Sequence, residues 1–195
     1  MGQWSKFFLF DLPIIEGMIL LVGAIASGKT EIAHALTRLF GIRKAVTHTT
    51  RKMRTGEQNH VDYHFVSVDD FLALKEKDGF VETTFYNGNY YGCSKAECGD
   101  DRCIVVDPKG VSSFLALKDP RIITFYLRCA EATREARMRS RGDEEKAIAS
   151  RLENDRVAFA EDKLPPCDFV LDTDVKGVEE LASEVHRLYQ SKLNP

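Results

Sequence analysis

Met18 to Val22 reads MILLV, five apolar residues without a polar break, and Gly23 follows directly. A strand buried on both faces of a parallel sheet has this unalternating form. Beyond Lys29 the apolar residues Ile32, Leu36, Leu39 and Phe40 recur at helical spacing, and Gly41 stands where a C-terminal cap is needed. The pattern predicts strand, glycine loop, helix. Further strands are predicted at KAVTH (44–48), CIVVD (103–107), RIITFYL (121–127) and DFVL (168–171), with helical patterns between several of them, including Val178, Leu181, Val185 and Leu188. Such alternation predicts an α/β fold, a parallel sheet flanked by helices.

Two stretches break the alternation. Residues 47–92 are polar and aromatic, with one helix opened by Ser67 and Asp70 as a capping box and a hairpin predicted at Asn87-Gly88. Residues 131–155 are charged and helical. The reading is therefore one domain whose core is 18–46, 93–130 and 156–195, with 47–92 inserted to bind a substrate and 131–155 as a mobile lid. Residues 1–17 form an extension to which no role is assigned.

Composition narrows the class. A length of 195 residues suits one compact core, and 44% apolar with 29% charged residues is ordinary for a soluble globular chain. The net charge of -3 provides no broad basic field, so nucleic acid is not expected as a ligand. The apolar run from Phe7 to Phe10 is interrupted by Asp11 and Pro13 well short of a membrane span, and MGQWSK misses the myristoylation pattern at Lys6. Cys93, Cys98, Cys103, Cys129 and Cys167 contain no CxxC pair and read as reduced thiols of a cytoplasmic protein. Cys98 and Cys103 are too widely spaced, and lack a second pair, for a zinc site; the five histidines likewise show no metal-ligand spacing.

GAIASGKT, from Gly23 to Thr30, matches G-x-x-x-x-G-K-[ST] between the first strand and the first helix. In such a loop the backbone of Gly23, Ala24, Ile25, Ala26, Ser27 and Gly28 wraps the phosphates of ATP. Lys29 reaches the β and γ phosphates, and Thr30 ligates Mg²⁺. Arg51 and Arg54 then lie in an irregular segment near Tyr63, the donors that a phosphate monoester needs. Arg134, Arg137 and Arg141, three and four apart, fall on one face of a helix. Asp107 ends an apolar strand and would sit at the carboxyl edge of the sheet, either capping the next helix or facing a ligand.

From Met18 onward the chain resembles the guanylate kinase family, through TTRKMRTGE, VDYHFVS, GNYYG, VVDPKG and RSRGDEEKAIASRL in that order. The resemblance implies a P-loop kinase that transfers the γ-phosphoryl of ATP, with Mg²⁺, to GMP or dGMP. It implies that Arg51, Arg54, Tyr63 and Tyr91 hold the acceptor phosphate, and that Thr47, Glu82, Cys93 and Asp107 lie around the guanine. Arg137, Arg141 and Arg151 would come from the lid and its adjoining helix to the transferring phosphoryl, in a monomer or homodimer without membrane or nucleic-acid partners.

The chain departs from the family pattern in the loop residues Ala24, Ile25, Ala26 and Ser27, at Cys93 where a hydroxyl is usual, at Val105 where an acid is common, and in a short 93–103 segment. Two other readings share parts of this signature. A kinase of a phosphorylated pentose shares YYG, and a non-catalytic phosphopeptide-binding module shares the acceptor cleft. Lys29 with Thr30 argues against the module, and Glu82 with TTRKMRTGE favours a nucleotide over a sugar.

Overall fold

A computed structural model of the chain describes residues 17–194 apart from 87, 100 and 161. The N-terminal extension, but for Gly17, and Asn87 of the predicted hairpin lie outside the described residues. In chain order the elements are β1 (Met18–Val22), α1 (Lys29–Phe40), β2 (Arg43–Lys44), β3 (His48–Thr49), β4 (His64–Phe65), α2 (Val68–Glu76), β5 (Phe80–Tyr86) and β6 (Asn89–Ser94). After a 3₁₀ turn at Lys95–Glu97 follow β7 (Arg102–Val106), α3 (Pro108–Leu115), β8 (Ile122–Arg128), α4 (Glu131–Ser140), α5 (Glu145–Ala158), β9 (Phe169–Asp172) and α6 (Val178–Leu193).

All of β1 is buried, because both its faces are covered. Ile19 and Leu21 pack with α1 and α6, while Met18, Leu20 and Val22 pack with Val111 and Phe114 of α3. This is the α/β fold that the unbroken apolar run predicts. The sheet runs β2-β7-β1-β8-β9, every neighbouring pair parallel. From β1 the chain winds first to one side and later to the other, so the carboxyl end of β1 is a topological switch point where ligands bind such sheets.

A second sheet, β4-β3-β6-β5, is mixed: β5 and β6 form an antiparallel hairpin, β3 is antiparallel to β6, and β4 is parallel to β3. The sequence pattern shows the hairpin but not this sheet, since two of its strands are two residues long. Phe71 of α2 underlies it, fully buried and stacked on Phe80 and Tyr90 with ring centroids 4.5 and 5.3 Å away.

Local chemistry explains several boundaries. Gly41 ends α1 at φ 73°, a left-handed angle that suits glycine. Ser67 caps α2 by accepting from the Asp70 N–H at 3.0 Å, and donates its own hydroxyl to the Asp70 carboxylate at 2.6 Å. Two expectations need correction. Leu39 is 40% exposed and does not join the core face of α1. The predicted strand over residues 44–48 is divided between the two sheets: the Ala45 N–H still donates to the Cys103 carbonyl, but the Val46 N–H donates to the Glu97 carboxylate, after which His48 and Thr49 join β6. No glycine, proline or other break in KAVTH marks that crossing.

Candidate active site

The loop from Gly23 to Thr30 lies at the carboxyl end of β1. Gly28 takes φ 93° and Ala26 φ 58°, so the chain turns back on itself and α1 starts at Lys29. A Cβ at Gly23 would stand 2.7 Å from the Leu127 carbonyl and from Ser27 Oγ, so only glycine fits there. Lys29 Nζ donates to the carbonyls of Gly23 and Ala24, both at 2.7 Å, and lies 3.4 Å from Ser27 Oγ. Burial pulls its pKa down to about 8, against the opposing charges of Asp155 and Glu31. The loop is thereby closed around its own lysine. Any anion entering it meets a desolvated ammonium and the N-terminus of α1.

Two cavities border this loop at the carboxyl edge of the sheet, and a third adjoins one of them. One, of 290 Å³, is lined by Ala26, Ser27 and Gly28 and across from them by Thr173, Lys176 and Val178. Arg137 borders it, donating to the Ala26 carbonyl at 3.1 Å and the Thr173 carbonyl at 2.7 Å. This arginine bridges the loop to the segment after β9.

The second and largest of the three, 830 Å³, draws residues from three separate stretches of the chain. Ile25 and Thr30 come from the loop, Arg51, Arg54, Tyr63 and Tyr91 from the second sheet's segment, and Arg141 and Arg151 from α4, α5 and their connection. Carboxylates hold several of these arginines. Glu57 takes both terminal nitrogens of Arg51 at 2.7 and 3.0 Å and the Arg54 N–H at 2.7 Å, which holds the Glu57 carboxyl below its usual range. Arg51 also lies over the rings of Tyr63 and Phe65, 5.5 Å from each centroid. Asp143 Oδ2 accepts from Arg141 at 2.7 Å and from Arg151 at 2.5 Å. One carboxylate oxygen therefore sits where two guanidinium groups converge, the geometry a phosphate oxygen would satisfy.

The third cavity, 110 Å³, adjoins the second through Tyr63 and Tyr91. Thr47, Glu82 and Asp107 line it, together with Thr84 and Val105. Asp107 serves two purposes: Oδ1 caps α3 by accepting from the Gly110 N–H at 2.7 Å, while the residue borders the cavity. The Glu82 carboxyl rises to about pKa 7, chiefly by burial and then by the charge of Asp107, against the Cys93 N–H it accepts at 3.1 Å and Lys109. Cys93 differs from the expectation that its side chain faces a base. It is fully buried, with its thiol 3.7 Å from both the Ser94 carbonyl and the Cys98 sulfur, because the chain turns into the core there. Its contribution at the cavity is the N–H that orients Glu82.

The three arginines at helical spacing do not share one face in function. Arg134 is 6% exposed and bonded to Asp155 at 2.7 Å, Arg137 spans two backbone segments, and Arg141 is exposed at the end of α4. Charge spacing alone cannot separate them, since the partners lie on other elements. For the same reason the reading of the sequence misses Glu57, Asp143 and Asp155 as partners of site arginines. It also misses that His48, His60 and His64 gather, with ring centroids 4.5 and 5.0 Å from His64; strand alternation puts His48 and His64 on the face away from Thr47 and Tyr63. Among the described residues no group of three or more His, Cys, Asp or Glu is placed to hold a metal ion. No helix among them is long and apolar enough to cross a membrane.

The sequence model of the family described as guanylate kinase matches residues 16–192. A guanylate kinase of Chromohalobacter salexigens is 33% identical over 187 residues, covering 89% of this chain and 85% of that protein. One from Chlamydia trachomatis is 37% identical over 168 residues, 80% of each chain. The crystal structure of a guanylate kinase from Anaplasma phagocytophilum superposes with a TM-score of 0.69 at 22% identity, over 92% of this chain and 87% of that one, a likeness of fold.

Proposed function

The chain belongs to the guanylate kinase family, and from that membership we propose that it catalyses in-line transfer of the γ-phosphoryl group of ATP to GMP or dGMP. The observation that carries this reading is the 830 Å³ cavity, where the phosphate loop, the paired arginines of residues 47–92 and the lid arginines meet. A site that only bound a phosphorylated peptide would not need the loop and its lysine to open onto the same space.

In this reading ATP lies along the loop, with its base and sugar in the 290 Å³ cavity beside Arg137. GMP enters from the other side, its phosphate on Arg51, Arg54, Tyr63 and Tyr91 and its guanine on Glu82, with Thr47 and Asp107 alongside. An oxygen of the GMP phosphate forms a new bond to the γ-phosphorus as the bond to the β–γ bridging oxygen breaks. Charge spreads over the equatorial oxygens in that transition state, and Lys29, Arg137, Arg141 and Arg151 are the cations assigned to answer it. Residues 131–155 act as a lid over the insertion 47–92, excluding water that would otherwise accept the phosphoryl group.

The oxygen donors present fit magnesium. Thr30 is exposed and opens into the large cavity, a single hard ligand of the kind that binds Mg²⁺ together with substrate phosphates and water. When bound, the ion would neutralise phosphate charge, with Thr30 as its ligand from the protein.

ADP release from Mg-ATP, scanned across nucleoside monophosphates and ribose phosphates, tests the reading. GMP and dGMP are expected to be the best acceptors. Preference for a ribose phosphate, or no release with any of them, would overturn it. Arg141→Ala is expected to lower kcat by more than tenfold while changing the KM for GMP less than threefold, as for a group engaged mainly in the transition state. Hydrogen exchange over residues 131–155 is expected to slow only when both substrates, or a bisubstrate mimic, are bound. A change confined to the KM for GMP would move Arg141 to the acceptor phosphate.

A further inference from the structure

Ile25 is the third residue of the phosphate loop, and its N–H does not point inward to the anion site. It donates to Asp155 Oδ2 on α5, 130 residues along the chain, at 2.9 Å. The same oxygen accepts from Arg134 Nη1 on α4 at 2.7 Å. Arg134 is 6% exposed, and Asp155 is largely covered, so the pair is a desolvated one wedged between loop and lid helices. The side chains of Ile25 and Ala26 pack on Met138, Ile148 and Leu152, the small apolar core those helices share. The loop is thus gripped from one side by a charge-assisted hydrogen bond and by apolar contact.

We propose that Asp155 is a positioning residue for the donor phosphates: by holding the Ile25 N–H it fixes the start of the phosphate loop, and with Arg134 behind it couples the loop to the lid helices. This rests on reading Gly23–Thr30 as the donor site. A carboxylate near bound phosphates would repel them if it stood alone. Arg134 offsets that charge, and the buried pair leaves a nearly neutral brace under the loop. Asp155 touches neither ATP nor the transferring group in this arrangement, and acts through the backbone it holds.

The test uses the full chain, Asp155→Asn, and the double variant Arg134→Leu/Asp155→Ala. The double variant removes both charges together, and such replacements of a buried pair by apolar residues commonly preserve or raise stability. Mg-ATP affinity by titration, kcat and KM for ATP, and KM for GMP are measured on all three. Both variants are expected to lose on the order of tenfold in ATP affinity and kcat/KM, the scale of one charge-assisted hydrogen bond, with KM for GMP within about twofold.

A double variant that folds and matches wild type in ATP affinity and kcat/KM, beside an Asp155→Asn chain that does the same, would make the pair merely structural and overturn the assignment. Where the double variant fails to fold, Asp155→Asn decides by the same readouts. A wild-type chain that does not bind Mg-ATP would instead overturn the donor-site reading itself, and the assignment with it.

Discussion

Lys29→Met is expected to lower kcat on the order of a thousandfold while the chain stays folded. In the structure the ammonium bonds the Gly23 and Ala24 carbonyls at the mouth of the loop, and a γ-phosphate entering there would replace those carbonyls as its partner. A cation whose attraction grows as charge moves onto the phosphoryl oxygens acts on the transition state more than on bound ATP. Methionine keeps the length of the side chain and removes the charge. Folding is not expected to suffer. With a pKa of about 8 in the folded state against 10.5 in the unfolded one, the protonated lysine disfavours folding at neutral pH, and that penalty fades as pH rises from about 8 to 10.5. The melting temperature of the variant at pH 7 is therefore expected to equal or exceed that of wild type. Single-turnover ADP formation and thermal melts check both statements, and a rate within tenfold of wild type would place the decisive cation elsewhere.

Glu82→Gln is expected to lower kcat/KM for GMP on the order of a hundredfold, and to leave AMP nearly unchanged, so that the GMP to AMP ratio collapses. Guanine presents N1–H and an amino group on one edge, and a carboxylate accepts from both. Adenine has an unprotonated N1 there, and would leave buried carboxylate oxygens without a donor. A glutamine offers one oxygen and one amino group, so half of the guanine contact becomes donor against donor. The buried position of Glu82 adds a pH signature. Its pKa of about 7 means that near neutrality a proton must leave before the carboxylate can accept from guanine. Below pH 7 the affinity of wild type for GMP is expected to fall as pH falls, approaching tenfold per unit, and binding at pH 7 is expected to release protons to the buffer. The GMP phosphate itself titrates near pH 6 and weakens binding in the same direction. The glutamine variant carries that second effect alone, so subtracting its profile isolates the Glu82 step. Identical pH profiles in wild type and variant, or an unchanged GMP to AMP ratio, would remove Glu82 from base recognition. Cys93→Ser serves as a control, since the thiol points into the core beside Cys98 and not into the cavity.

What the sequence determines by itself is whatever its neighbours along the chain enforce. MILLV becomes a doubly covered strand because no residue in it tolerates water, GAIASGKT becomes a strand-to-helix loop because Gly23 and Gly28 permit its turns, and Ser67 and Gly41 mark helix ends through bonds spanning a few residues. Arg51, Arg54 and Tyr63 stand out as residue types suited to a phosphate, whereas the roles of Glu82 and Tyr91 come from the resemblance of the motifs to the family. The tertiary structure decides which groups stand opposite them. It divides residues 44–48 between two sheets, turns the Cys93 thiol inward, and sorts Arg134, Arg137 and Arg141 into a buried brace, a backbone bridge and an exposed cation. Asp155 meets Ile25 across 130 residues, and no local pattern encodes that meeting. A charge reads alike in sequence whether it is solvated or paired, and only the packing of α4 and α5 against the loop removes the water that would make those two conditions equivalent.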